Sequence, residues 1–185
     1  MSEERPFAFL SRRRFLRWSL IGGGSLISLS SGVVNALLAL RGKAPEVAGL
    51  RVLTAHEYRT LQSIADAQLP RGGAFALGAL DMDLGRRFDA FLAQEPQQNI
   101  DDLKAALFLV EMGPPIFERR PITFSNLNAD ERLAHWQGWI AAPQLIRRQA
   151  SLAFRKFLSI VFYDEPQVWP GIGYPGPGAA GRRAS

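Results

Sequence analysis

The chain has 185 residues, a formal net charge of +5 and no cysteine, so it can form no disulfide, thiolate metal site, iron–sulfur cluster or covalently attached haem. Its pI near 10.2 misleads, because residues 1–41 carry six Arg and two Glu and leave 16 basic and 15 acidic groups to residues 42–185. The pairs Arg119-Arg120, Arg147-Arg148 and Arg182-Arg183 form no basic stripe interleaved with aromatics, which excludes a nucleic-acid role.

The chain opens with Ser11-Arg12-Arg13-Arg14-Phe15-Leu16-Arg17, followed by an uncharged stretch from Trp18 to Leu40. The run resembles the bacterial twin-arginine export signal, with Arg12 and Arg13 as the pair, Phe15 and Leu16 in the apolar slots and Ser11 leading. Such a signal is read by the twin-arginine translocase, which passes folded cargo. Glycines and serines dilute the apolar stretch, as befits a mild leader rather than a committed spanning helix. Its 23 residues nevertheless suffice to cross a hydrocarbon core about 30 Å thick. The segment Ala36-Leu37-Leu38-Ala39-Leu40-Arg41 offers no clean Ala-x-Ala cleavage site. Both a cleaved leader and an anchor retained over residues 18–40 stay open. Five arginines before the stretch place the N-terminus in the cytoplasm and everything after Arg41 outside. The expected location is the periplasm of a Gram-negative bacterium, at the outer face of the inner membrane.

Residues 42–168 read as one helical body. Thr54-Ala55-His56-Glu57 is a capping box, followed by Tyr58, Leu61, Ile64 and Ala65 at helical spacing up to Leu69-Pro70. Arg71-Gly72-Gly73 is a loop. A second helix is expected over Asp81–Ala93, with Leu84, Phe88, Phe91 and Leu92 inward and Asp81 and Asp83 at its positive end. A third runs from Ile100 to Glu111 and closes at Gly113-Pro114-Pro115. Asn128-Ala129-Asp130-Glu131 caps a fourth through Leu133, Trp136, Trp139 and Ile140. Gln144–Tyr163 gives a fifth, with Leu145, Leu152, Phe154, Phe157, Leu158 and Val161 on a wide apolar face. No stretch alternates as a strand does. The expected fold is all-α: an irregular bundle of about five helices after an N-terminal signal or anchor helix.

Residues 169–185 form a Pro/Gly-rich C-terminal arm, expected to be non-helical. Trp169, Ile172 and Tyr174 are costly to leave in water, and Pro175 and Pro177 stiffen the segment, so it should dock on a partner or back on the bundle.

Ile64-Ala65-Asp66-Ala67-Gln68-Leu69-Pro70 with its Gly-rich turn, the helix bearing Phe88 and Phe91, and the closing Trp169–Pro177 run together resemble the gluconate 2-dehydrogenase subunit 3 family. The resemblance covers roughly residues 50–178 and the leader, and its most specific piece is Gly173-Tyr174-Pro175-Gly176-Pro177. It implies a small, non-catalytic subunit of an exported glucose-methanol-choline type dehydrogenase. In that family the large subunit binds FAD and does the chemistry, a cytochrome c subunit accepts electrons, and the small subunit carries the twin-arginine signal. No cofactor is then expected in this chain.

The inventory of reactive groups suits that reading. His56 and His135 are the only histidines and lie within predicted helices without clustered partners, which favours structural roles. No Gly-x-Ser-x-Gly elbow occurs. Neither Gly22-Gly23-Gly24 nor Gly171-x-Gly173 sits between a strand and a helix as a dinucleotide loop must. Asp81 and Asp83, or Asp101 and Asp102, are acids at helix starts, and Trp136 and Trp139 suit packing better than a sugar platform. An independent periplasmic enzyme and a stand-alone anchored module are the competing classes.

Overall fold

The computed structural model describes residues 35–36, 38–72 and 75–176, and within them the chain is all-helical, with no strand. Six α-helices follow one another: α1 (Ala55–Gln68), α2 (Leu84–Leu92), α3 (Gln97–Glu111), α4 (Gly113–Phe117), α5 (Ala129–Ile140) and α6 (Leu145–Tyr163). Two single 3-10 turns, Phe124–Asn126 and Trp169–Ile172, complete the set. The translocase-signal residues Ser11, Arg12, Arg13, Phe15 and Leu16, and Pro177 of the arm, lie outside the described residues.

Both capping boxes form as their spacing requires. Thr54 and Glu57 exchange backbone hydrogen bonds at the start of α1, and Asn128 and Glu131 do the same for α5. The expected start of α2 at Asp81 shifts to Leu84. Asp83 is its N-cap in a left-handed conformation, φ 45°, held by the Tyr58 hydroxyl donating to its Oδ1 at 2.6 Å. Asp81 serves the preceding loop instead, accepting from Gly78 N at 2.8 Å and pairing with Arg71. Helix α3 begins three residues earlier than expected, behind Pro96.

Helix α3 ends at Glu111 as expected, and Gly113-Pro114-Pro115, expected only to close it, also opens α4. Proline is tolerated in a first helical turn, whose N–H groups have no intrahelical partner. The arm likewise corrects its expectation: Trp169–Ile172 makes one 3-10 turn with Pro170 near its start, ended by Gly173 at φ 67°.

Helix α1 is central and packs on α2, α3, α5, α6 and the first 3-10 turn. Leu61, Ile64 and Ala65 are fully enclosed there by Leu84, Phe88 and Leu92 of α2, Leu103, Leu107 and Val110 of α3, Trp136 and Trp139 of α5, and Phe154 and Leu158 of α6. Aromatic pairs knit these layers, with Phe88 edge-on to Phe157 at 6.4 Å and Trp136 to Phe154 at 6.3 Å. Trp136 and Trp139 are therefore core.

Residues 42–53 form a strap outside the helices. Asp89 of α2, 2% exposed, accepts from the backbone N–H groups of Arg51, Val52 and Leu53 at 2.6, 3.1 and 2.8 Å. Arg86 donates to Ala48 O at 2.6 Å further up the strap.

Candidate partner interface

Helix α6 has apolar side chains on two faces. The inner one, with Ala150, Ala153, Phe154, Phe157, Leu158 and Phe162, is buried. Leu145, Leu152, Ile160 and Tyr163 are exposed, Leu152 by 63% and Ile160 by 50%. Their separations of seven, eight and three residues put them on a single outer stripe of a 3.6-residue helix. Leu145 and Leu152, assigned to the core-facing side from sequence, thus point outward. The spacing predicts one wide apolar face, whereas only the side turned to α1, α2 and α5 is buried. Lys156, four residues from both Leu152 and Ile160, interrupts the stripe, and Arg155 stands to one side of it; both are exposed and have no ion-pair partner among the described residues, and α6 contains no acid.

The stripe runs into the C-terminal turn. Trp169 Nε1 donates to Tyr163 O at 3.0 Å, and its ring meets Tyr174 edge-on at 5.3 Å. Tyr174 N donates back to Trp169 O at 2.9 Å, and Gly176 lies against the Trp169 ring, where a Cβ would stand 3.1 Å from Cζ3. Of the residues singled out for partner binding, the structure brings Trp169, Tyr174 and the end of α6 together. Trp169 is half-buried, while Ile172 and Tyr174 are each 46% exposed and Pro175 is exposed.

Next to the turn, Gln68, Leu69, Pro70, Phe75, Leu77, Phe162 and Tyr163 line a shallow pocket of about 140 Å³. Phe75 forms its wall through edge contacts with Phe162 at 5.3 Å and Tyr163 at 6.0 Å. Apolar surface gathered around a small pocket is what interaction sites present, whereas isolated exposed apolar residues are ordinary. The aromatics in the Pro/Gly arm were legible in sequence. Ile160 and Tyr163 were missed, and their signal is a second period-3.6 stripe on an already amphipathic helix.

The polar constellations elsewhere are structural in geometry. His135, whose side chain is 1% exposed, places Nδ1 2.6 Å from Glu118 Oε1 and accepts at Nε2 from Trp139 Nε1 at 2.9 Å. The indole N–H therefore occupies the Nε2 lone pair and fixes the tautomer with the proton on Nδ1. Burial pushes the His135 pKa down; Glu118 opposes this, and Arg147 and Arg120 add to it. Arg147 lies over the Phe117 ring at 4.9 Å and the Trp139 ring at 5.3 Å.

Glu111, 2% exposed, accepts from Thr60 Oγ1, Ser125 N and Ser125 Oγ at 3.0, 3.1 and 2.7 Å, joining α3, α1 and the first 3-10 turn. His56 has its pKa lowered first by burial and then by Arg41. Asp102 has its pKa raised by burial and then by Asp101. Among the described residues no group of three or more His, Asp or Glu could hold a metal ion, and no helix is long and apolar enough to cross a membrane.

No protein-family model, curated protein or solved structure matches the chain.

Proposed function

We propose that this chain is a non-catalytic escort subunit. It binds a folded FAD-dependent dehydrogenase of the glucose-methanol-choline type in the cytoplasm, and its twin-arginine signal carries that partner to the periplasm. The observation that supports this reading best is the apolar surface of Leu152, Ile160, Tyr163, Ile172 and Tyr174, on the same chain as the Ser11–Leu16 signal. A flavoprotein acquires its cofactor where the cofactor is made, so it must cross the membrane folded. A partner lacking its own leader then depends on a signal borne by a bound subunit. A stable assembly of this kind buries upwards of roughly 2,000 Å² and is mostly apolar. The α6 stripe, the pocket beside Phe75 and the Trp169–Tyr174 turn supply the centre of such a surface, with Lys156 a cation within it and Arg155 at its polar rim. After export the chain stays on as a structural subunit, and a cytochrome c subunit takes the electrons.

Replacing Arg12 and Arg13 together by Lys tests the reading. Both subunits and the dehydrogenase activity should then be retained in the cytoplasm. Dehydrogenase activity that still reached the periplasm would overturn the escort role.

A further inference from the structure

The outer side of α6 carries a helix-pairing seam. Leu145, Gln149, Leu152, Lys156, Ser159 and Tyr163 follow one another in alternating steps of four and three, the spacing by which one helix lays its side chains against another. Leu145, Leu152, Lys156 and Tyr163 are exposed, with Gln149 and Ser159 half-buried between them. The seam stands on a fixed support. Phe154, Phe157 and Leu158 are buried on the opposite side of the helix, and Gln68 Nε2 of α1 donates to Arg155 O at 3.2 Å.

Lys156 decides what can cover this seam. It lies between Leu152 and Ile160, so a surface that buries those two side chains also draws the ammonium out of water, which is costly without a counter-charge. The helix itself offers none. It contains Arg147, Arg148, Arg155 and Lys156 and no acid, and Asp164 caps it about two turns beyond Lys156. Lysine is depleted at interface centres, and a single polar residue in a helix seam fixes partner and register at a cost in stability. A second copy of this chain would bring Arg155 and Lys156 against their own kind with no acid to meet them. A bilayer fits poorly too, because interfacial helices keep their cations on the face opposite the apolar one.

The seam ends at a socket. Tyr163, seven residues beyond Lys156, lines the pocket of about 140 Å³ together with Leu69, Phe75 and Phe162. An apolar cavity of roughly 150 Å³ accepts a benzene ring, so one aromatic side chain fits.

We propose that the seam from Leu145 to Tyr163 receives an acidic amphipathic helix of the dehydrogenase, with one of its carboxylates on Lys156 and, two turns away, an aromatic side chain in the pocket beside Phe75. The partner is taken from the escort reading, on which this rests; charge and spacing set the chemistry and register of its contact segment.

The test uses the complex of the full chain with the flavoprotein, purified from exporting cells, and a carbodiimide, which joins an amine to a carboxylate only where the two already touch. The chain has three lysines, Lys43, Lys104 and Lys156, and Lys104, 3.4 Å from Glu57 Oε2, gives the internal link that shows the reagent has worked. Lys156 should link to an Asp or Glu of the flavoprotein. Lys156→Glu should weaken the complex by roughly thirtyfold or more, Lys156→Arg should hold it, and changing the linked carboxylate to Lys should restore binding to Lys156→Glu. Leu77→Trp, in the pocket wall, should weaken the complex with Tm unchanged, and full binding by that variant would overturn the seating of a ring there. A flavoprotein held as firmly by Lys156→Glu, or a Lys156 link to a second copy of this chain, would overturn the proposal and leave the escort role standing. Lys156→Glu that released the chain from anionic vesicles but not from the flavoprotein would put a membrane on α6 and overturn it too. A full chain that purifies with no flavoprotein at all would sink the escort reading itself, and this assignment with it.

Discussion

Asp89→Ala should loosen the strap without dissolving the bundle, and its cost can be worked from geometry. The carboxylate accepts three backbone N–H groups, that of Leu53 buried and those of Arg51 and Val52 partly buried. Leaving the Leu53 N–H without an acceptor costs about 2 kcal/mol, and the other two, which can turn to water, about 0.5–1 kcal/mol each. The better helix propensity of Ala returns about 0.5 kcal/mol. A net loss of about 3 kcal/mol follows, or roughly 10 °C in Tm for a body of this size, within the 5–15 kcal/mol that domains usually have. Asp89→Asn should cost less, about 1–2 kcal/mol, since one oxygen remains for Val52 and Leu53 while the new amide N–H opposes that of Arg51. Thermal and urea unfolding of the full chain in detergent measures both, and trypsin reports strap release as faster cutting after Arg51, which is exposed. If both variants unfold within about 0.5 kcal/mol of the parent, as neutral surface changes do, the clamp is not what holds the strap.

Gly113→Ala should destabilise despite the better propensity of Ala. The new Cβ would stand 2.8 Å from both His135 Nε2 and Trp139 Cζ2, and such overpacking costs about 1–3 kcal/mol against about 1 kcal/mol gained in the helix; a higher Tm would contradict it. For His135 the folded-state pKa lies below the ordinary 6.5 because burial disfavours the cation. The unfolded chain then binds the proton more readily, so this contribution is full above pH 6.5 and declines as pH falls through 6.5 towards the folded value. His135→Asn should flatten that part of the stability profile measured by urea unfolding from pH 8 to 5, and an unchanged slope would show that His135 is not its source.

The parts of the fold legible in the sequence were those fixed by local chemistry. Thr54/Glu57 and Asn128/Glu131 each close a loop of three residues, so their capping boxes need no tertiary information. Asp81 and Asp83 show where that stops. Both are acids before an apolar run, and only the approach of Tyr58 and Arg71 decides which one caps α2. Gly113-Pro114-Pro115 follows the end of α3 at Glu111, as its composition suggests, but that it also opens α4, with Gly113 buried beside His135 and Trp139, depends on tertiary packing. The same holds at the candidate interface. Trp169 and Tyr174 announced themselves as aromatics among prolines, but whether Leu152 faces in or out depends on how α2 and α5 embrace α6.

A chain that carries an export signal for a partner has to offer both at once, and the packing order bears on how it could. Leu40 is held by Asn126 of the first 3-10 turn and Arg41 stands beside Phe108 of α3, and these two elements pack on α1 and on each other. The apolar stripe belongs to α6, which packs on α2, α5 and α1. Helix α1 therefore touches both the elements beside residues 40–41 and the helix that bears the surface proposed for the cargo. A partner seated on Leu152, Ile160 and Tyr163 would leave Leu38 and Arg41 uncovered, so translocase and cargo need not compete for one face. Had the leader joined the body along α6, an apolar segment of 23 residues could have lain on that stripe and hidden signal and binding surface together. The strap from Gly42 to Leu53 is clamped to α2 by Asp89, and residues 40–41 are held instead by Asn126 and stand beside Phe108.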